Sequence, residues 1–185
     1  MSFIGNDIMF FENNVNTFTR KGAVKHILNE NEIADHSVKH YPIIAWTIKE
    51  SIYKIICKEG YRKAFAPKKI SVFRFYKVKN NKYSGEALFN NQKYFFQTQI
   101  TDESIFSFAT NDYDKLPEIK HHFINNNSQV SNKELEYFLH IKKWKIDHTK
   151  EGIPHVFQNQ NKIDISITHD NNVIVFSELA HIIDC

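Results

Sequence analysis

The stretch from Tyr41 to Lys58 constrains the fold most. Ile44, Ile48, Ile52 and Ile55 recur at i, i+4, i+8 and i+11, so an α-helix places them on one face. Pro42 suits the first turn of such a helix and Gly60 supplies a stop. Trp46, Glu50 and Lys54, each four residues from the next, lie on the opposite face. The helix is therefore two-faced, with an apolar stripe that needs a partner and a second face that carries chemistry.

The partner follows in sequence. From Ile70 to Ala109 the period changes to two, and Asn80-Asn81 and Asn90-Asn91 punctuate it as turns, which predicts three or four antiparallel strands in a meander. Upstream, Ser2 to Phe11 reads as a buried strand and Val15 to Ile33 as a helical stretch. Downstream, Leu116 to Gln129 fits neither period. Ser131 and Glu134 then form a capping box for a helix to about Lys143. Strands at Trp144 to Ile146, Ile163 to Thr168 and Val173 to Phe176 close the chain, the last two joined at Asn171-Asn172. The expectation is one α+β domain over 1–185, made of two pseudo-halves, 1–115 and 116–185, each a helix packed on a small antiparallel sheet.

Hydrophobic residues make up 42% and aromatics 14%, enough to exclude a disordered chain. The formal charge is +3 and the pI about 8.7, with Lys and Arg spread along the chain rather than concentrated as in a dedicated nucleic-acid binder. An anionic cofactor, an acidic protein partner or an ordinary solvated surface all suit that balance. Cys57 and Cys185 make no disulfide framework, and neither a signal peptide nor a membrane-length apolar run is visible; a cytoplasmic protein is expected. The 10 histidines include one H-x-x-x-H spacing, His36 and His40, with no cysteine near it to complete a zinc site, and the chain has no C-x-x-C, nucleophile elbow or glycine-rich nucleotide loop, which argues against zinc, serine-hydrolase and dinucleotide chemistry.

Three segments carry charge where charge is unexpected. Asp7, in Gly5-Asn6-Asp7-Ile8, is an acid inside an apolar strand, which pairs with a lysine, caps a turn or binds a cation. Glu50 and Lys54, in Trp46-x-x-Lys49-Glu50-x-x-x-Lys54, form either an ordinary i,i+4 pair or a hard-cation ligand beside phosphate-binding ammonium groups. Ile165-Ser166-Ile167-Thr168-His169-Asp170 runs into a polar hairpin tip, where a histidine is a satisfied surface residue, a phosphate ligand or a proton shuttle.

Together with Leu28-Asn29-Glu30-Asn31-Glu32 and Gly152-Ile153-Pro154, these segments resemble the motifs of the 4′-phosphopantetheinyl transferase superfamily, in the order found in the small holo-acyl-carrier-protein synthases. A long insert separates the lysine–glutamate helix from Gly152. The chain resembles the long class of the family with its halves in swapped order, which implies a monomer with a site between halves, a trimer being the alternative. The resemblance implies transfer of 4′-phosphopantetheine from coenzyme A to a serine of an acyl or peptidyl carrier protein, with Mg²⁺. It implies Asp7 and Glu50 as metal ligands, and Glu50 as a catalytic base, directly or through a metal-bound water. Lys49 and Lys54 would contact phosphates, with Lys54 also catalytic, and Thr168 and His169 would hold the nucleotide phosphate or pyrophosphate. Asn6 stands where the family carries an apolar residue, and Ile153 where it carries a lysine; a further acid is missing after Asp7. A catalytically inactive module binding coenzyme A or carrier protein is the second reading. A third is an RNA-binding module presenting Phe73, Phe75, Tyr76 and Lys77 on an open sheet, against an expectation that these aromatics are core and that no nucleic acid is bound.

Overall fold

The computed structural model describes residues 1–12, 14, 18, 20, 22–34, 38, 40–61, 64–125, 133–150, 152–158 and 161–180. It is an α+β fold built on two five-stranded antiparallel sheets. Strand β1 (Ile4–Phe10) leads to helices α1 (Ala23–Ile27), α2 (Glu30–Ala34) and α3 (Tyr41–Lys58). The meander β2 (Ser71–Lys79), β3 (Lys82–Phe89), β4 (Gln92–Ile100) and β5 (Ser104–Thr110) follows. Then come β6 (Lys120–Asn125), α4 (Lys133–Lys142), β7 (Lys145–His148), β8 (Pro154–Gln158), β9 (Asn161–Asp170) and β10 (Val173–Ala180).

The sheets are ordered β1-β5-β4-β3-β2 and β6-β10-β9-β8-β7. In each, the first strand pairs with the last, and the meander runs outward from that pair. The same plan is thus used twice.

Helix α3 covers the first sheet. Ile44, Ile48, Ile52 and Ile55 have no exposed surface and join Ala87, Tyr94, Phe96, Ile105 and Ala109 in one core. Each buried isoleucine contributes about 2 kcal/mol by transfer from water. The second sheet buries Trp144, Val156, Ile163, Ile165 and Phe176 under Phe138 and Leu139 of α4. Asparagine makes the tight turns possible: Asn80, Asn90, Asn91 and Asn171 all have positive φ, which this side chain tolerates better than most.

Strand β1 lies so close to α3 that a Cβ on Gly5 would fall 1.9 Å from the Ser51 carbonyl oxygen. Only glycine permits that approach.

Several expectations are corrected. The helical stretch Val15 to Ile33 is not one helix: the chain breaks at Leu28-Asn29 between α1 and α2, and Val15 to Thr17 lie outside the described residues. Asn29 and Glu32 cause the break by a reciprocal capping box, with Glu32 N donating to Asn29 Oδ1 at 3.0 Å and Asn29 N to Glu32 Oε2 at 2.9 Å. The Ser131 cap lies outside the described residues. Leu116 to Gln129 begins in a 3₁₀ turn, Tyr113–Glu118, and continues as β6. Strand β8 has no counterpart in the sequence reading, being short and started by Pro154. Phe73 and Tyr76 are not core: they are 41% and 53% exposed on β2, an outer strand with two register shifts. Phe75 alone turns inward, stacking on Tyr83 with ring centroids 4.8 Å apart.

Candidate active site

The two sheets meet along β1 and β9. Strand β1 is an edge strand, and its outward backbone groups need partners. The other half supplies them through side chains. Ile4 N donates to Asp164 Oδ2 at 2.6 Å, Asn6 N to Ser166 Oγ at 3.0 Å and Phe10 N to Asp170 Oδ2 at 2.7 Å. The period-two row Asp164, Ser166, Thr168, Asp170 is therefore the face of β9 turned toward β1.

Two lysines of α3 complete the seam. Lys54 Nζ donates to Asn6 O at 2.6 Å and to Ile167 O at 3.3 Å. One turn on, Lys58 Nζ donates to Ile4 O at 2.7 Å, Ile165 O at 2.6 Å and Asp164 Oδ2 at 2.9 Å. Each ammonium bridges a carbonyl of one half to a carbonyl of the other.

Asp7 sits at the centre of this seam. It is 8% exposed, accepts the Thr168 hydroxyl at 2.9 Å and lies 3.7 Å from Lys54 Nζ. Burial pushes its carboxyl up to about 6, against the pull of Lys54 and the Thr168 bond, and Asp170 adds to the rise. Glu50, one helical turn before Lys54, is likewise raised to about 6 by burial and by the Asp7 charge, with Lys54 opposing. Burial draws the Lys54 ammonium down, while Asp7 and Glu50 hold it up. A strand carboxylate and a helix carboxylate thus feel each other's charge and that of Lys54, whose ammonium lies 3.7 Å from Asp7. Two hard oxygen donors in mutual repulsion fit a hard dication, which would relieve that repulsion. Among the described residues no cluster of three or more His, Cys, Asp or Glu makes a cage, so such an ion would need oxygens from a ligand as well.

Beside the carboxylates is a cavity of about 190 Å³ lined by Lys54, Lys58 and Cys57 of α3, Gly152-Ile153-Pro154, and Ile165-Ser166-Ile167. Three of the motifs picked out in the sequence, distant along the chain, converge here. His169 is exposed and follows Ile167 on the same face of β9, one two-residue step toward the hairpin tip.

The predicted site residues therefore separate. Asp7, Lys54 and Thr168 come together, Glu50 lies within reach of their charge, and His169 stands on the opposite face of β9 from Thr168. Lys49 does not join them. Its side chain has no exposure, and Nζ donates to Glu32 Oε2 at 2.7 Å and Ile27 O at 2.8 Å inside the core. Burial lowers its proton affinity and Glu32 restores part of it. The sequence reading missed Lys58, Asp164 and Asp170. The i,i+4 repeat Glu50, Lys54, Lys58 and the polar alternation of β9 were the signals that could have found them.

A duplicated α+β plan thus brings two carboxylates and a cavity edged by Lys54 to the seam between its sheets. The model of the 4′-phosphopantetheinyl transferase superfamily matches residues 3–113, and the chain belongs to that family of transferases, which act on carrier proteins with coenzyme A. No curated protein and no solved structure matches the chain. The family match covers Asp7, Glu50 and Lys54; Thr168 and His169 lie beyond it. No helix among the described residues is long and apolar enough to cross a membrane.

Proposed function

We propose that the chain transfers 4′-phosphopantetheine from coenzyme A to a serine hydroxyl of an acyl or peptidyl carrier protein, and that it does so with Mg²⁺. The observation that carries this reading is that Lys54, 3.7 Å from the buried Asp7 and one helical turn from Glu50, lines a cavity to which both halves contribute. Asp7 and Glu50 would hold the ion, which would supply charge neutralisation on the pyrophosphate.

The protein's own groups do the rest. Lys54 lines the cavity and would attract the phosphate chain, while Lys58, paired with Asp164, would hold the two halves together, and Ile153, Ile165 and Ile167 also line the cavity. The row Ile167–His169 would carry the phosphates toward the hairpin tip. Glu50 would accept the proton of the attacking serine, directly or through a water, with the ion it would hold keeping its carboxylate ionised. The serine oxygen forms a bond to the phosphorus bearing pantetheine. The bond from that phosphorus to the bridging oxygen breaks, and the nucleotide leaves with the other phosphate. Lys54, beside Asp7 at the seam, would offset the charge on the leaving phosphate. Lys49 has a structural role in this scheme.

The chain is one domain of two pseudo-halves in this reading, related to the long class of the family by swapped order. Both walls of the site come from one chain, so a monomer suffices, and gel filtration giving a trimer would contradict that. Calorimetric titration of coenzyme A, with and without Mg²⁺, tests the site itself. The expected result is binding that tightens with Mg²⁺ and loses that gain in Asp7→Asn. Binding indifferent to both would remove the metal pair from the function.

A further inference from the structure

Asn6 departs from the family pattern by placing an amide where an apolar side chain is usual. It is completely buried, and all of its polar groups are engaged. Its main-chain N–H donates to Ser166 Oγ at 3.0 Å, and its carbonyl accepts from Lys54 at 2.6 Å. Its side-chain Oδ1 accepts from Ser166 Oγ at 2.8 Å, and Nδ2 donates to Ser177 Oγ at 2.7 Å and to Val175 O at 3.2 Å. Ser177 in turn meets His121 Nδ1 at 2.8 Å. One side chain of β1 thereby reaches both β9 and β10 of the other half.

We propose that Asn6 is a positioning residue, whose amide fixes the register of β1 against β9 and so sets Asp7 beneath Thr168 and beside Lys54. This rests on the metal-dependent reading above.

The physical argument is one of directionality. No backbone ladder joins β1 to β9, so their register rests on side-chain bonds: Asp164 and Asp170 hold the two ends of β1, and between them Asn6 meets Ser166. Apolar contact across such a seam is non-directional and tolerates sliding. Buried hydrogen bonds do not, because a displaced amide would leave several buried polar groups unpaired at once. Asn6 and Asp7 are consecutive, so a slip that frees the amide also draws the carboxylate away from Thr168 Oγ1, now 2.9 Å distant, and takes the Asn6 carbonyl off Lys54. The amide thus couples the register of the seam to the spacing of Asp7 from Lys54. The usual apolar residue would hold Asp7 less firmly in this particular chain, which has serines at 166 and 177 facing it.

The test is Mn²⁺ affinity, read by electron paramagnetic resonance on the full chain with coenzyme A present, in wild type, Asn6→Leu and Ser166→Ala. Asn6→Leu should weaken Mn²⁺ about tenfold while the metal-free coenzyme A Kd stays within about twofold. Ser166→Ala, which removes the partner of both the Asn6 N–H and Oδ1 without altering β1, should weaken it about threefold; it carries the test if the leucine variant does not fold. A core variant away from the seam, Val156→Ala, should lower thermal stability and leave Mn²⁺ affinity unchanged. Wild-type Mn²⁺ affinity in folded Asn6→Leu or in Ser166→Ala would overturn the inference, as would an equal loss in Val156→Ala. A wild-type chain that binds coenzyme A but no Mn²⁺ would overturn the metal-dependent reading itself, and this inference with it.

Discussion

Replacing Lys49 by methionine separates the two roles that a lysine in this helix could have. Lys49 Nζ and Glu32 Oε2 are 2.7 Å apart, with side chains 0% and 1% exposed. Glu32 also accepts Val72 N at 2.8 Å and Asn29 N at 2.9 Å, so it ties α2 to β2 and caps its own helix. Lys49→Met leaves that carboxylate buried without its counter-ion. Removing one partner of a buried pair costs about 3–5 kcal/mol. The two remaining N–H donors place the expectation at the lower end, about 3 kcal/mol. For a domain of this size that corresponds to a fall in Tm of about 6–12 °C. Adding Glu32→Leu to Lys49→Met should recover part of the loss, because the second change removes the stranded charge. Urea and thermal denaturation followed by circular dichroism give the stability, and calorimetric titration gives the coenzyme A affinity, which should stay within about twofold of wild type. A stability loss below about 1 kcal/mol together with a tenfold loss of coenzyme A affinity would refute the reasoning. It would mean that the ammonium faces phosphate, as the family resemblance implies, and not Glu32.

Gly5→Ala should abolish folding or cost at least about 3 kcal/mol, because backbone of α3 occupies the space of the new Cβ; a well-folded variant with unchanged urea midpoint would contradict the close approach. The carboxylate pair should make the metal-free protein pH-sensitive. Asp7 and Glu50 rise from 3.8 and 4.5 to about 6 on folding, so the folded state binds more protons between those values. Their contribution is fully present below about pH 4 and is lost as pH rises through about 6, a change on the order of 5 kcal/mol for the two shifts together. Comparing wild type with Asp7→Asn across that window isolates it, and parallel profiles would contradict the coupling. Lys54→Met should weaken coenzyme A at least tenfold, with a smaller loss of stability than Lys49→Met, since Lys54 is 25% exposed at the cavity edge. Equal affinity would place the phosphates elsewhere.

Much of this was legible in the sequence because the strong signals are local. The isoleucine stripe of α3 and the asparagine turns of the first meander are set by residues a few positions apart, and they stand where the periodicity puts them. The motifs holding Asp7, Glu50, Lys54 and Thr168 were equally visible. The seam was not, because its bonds join residues about as far apart as the chain allows: Ser166 to Asn6 and Asp170 to Phe10 each span 160 positions. Lys49 shows the same limit from the other side. Lys49 and Lys54 both read as basic groups near Glu50, yet five residues along a helix turn them to different faces. One enters the core to meet Glu32, and the other reaches the seam. Phe73 and Tyr76 were expected in the core because their aromatic, alternating segment does not show that β2 is an outer strand with irregular register.

The central claim is tested most directly by the mass of an apo carrier protein after incubation with this chain, coenzyme A and Mg²⁺. The carrier should gain one phosphopantetheine group, dependent on Mg²⁺ and lost in Glu50→Ala. An unmodified mass across several acyl and peptidyl carriers, with coenzyme A nonetheless bound, would contradict it and leave a module that holds coenzyme A without transferring its arm.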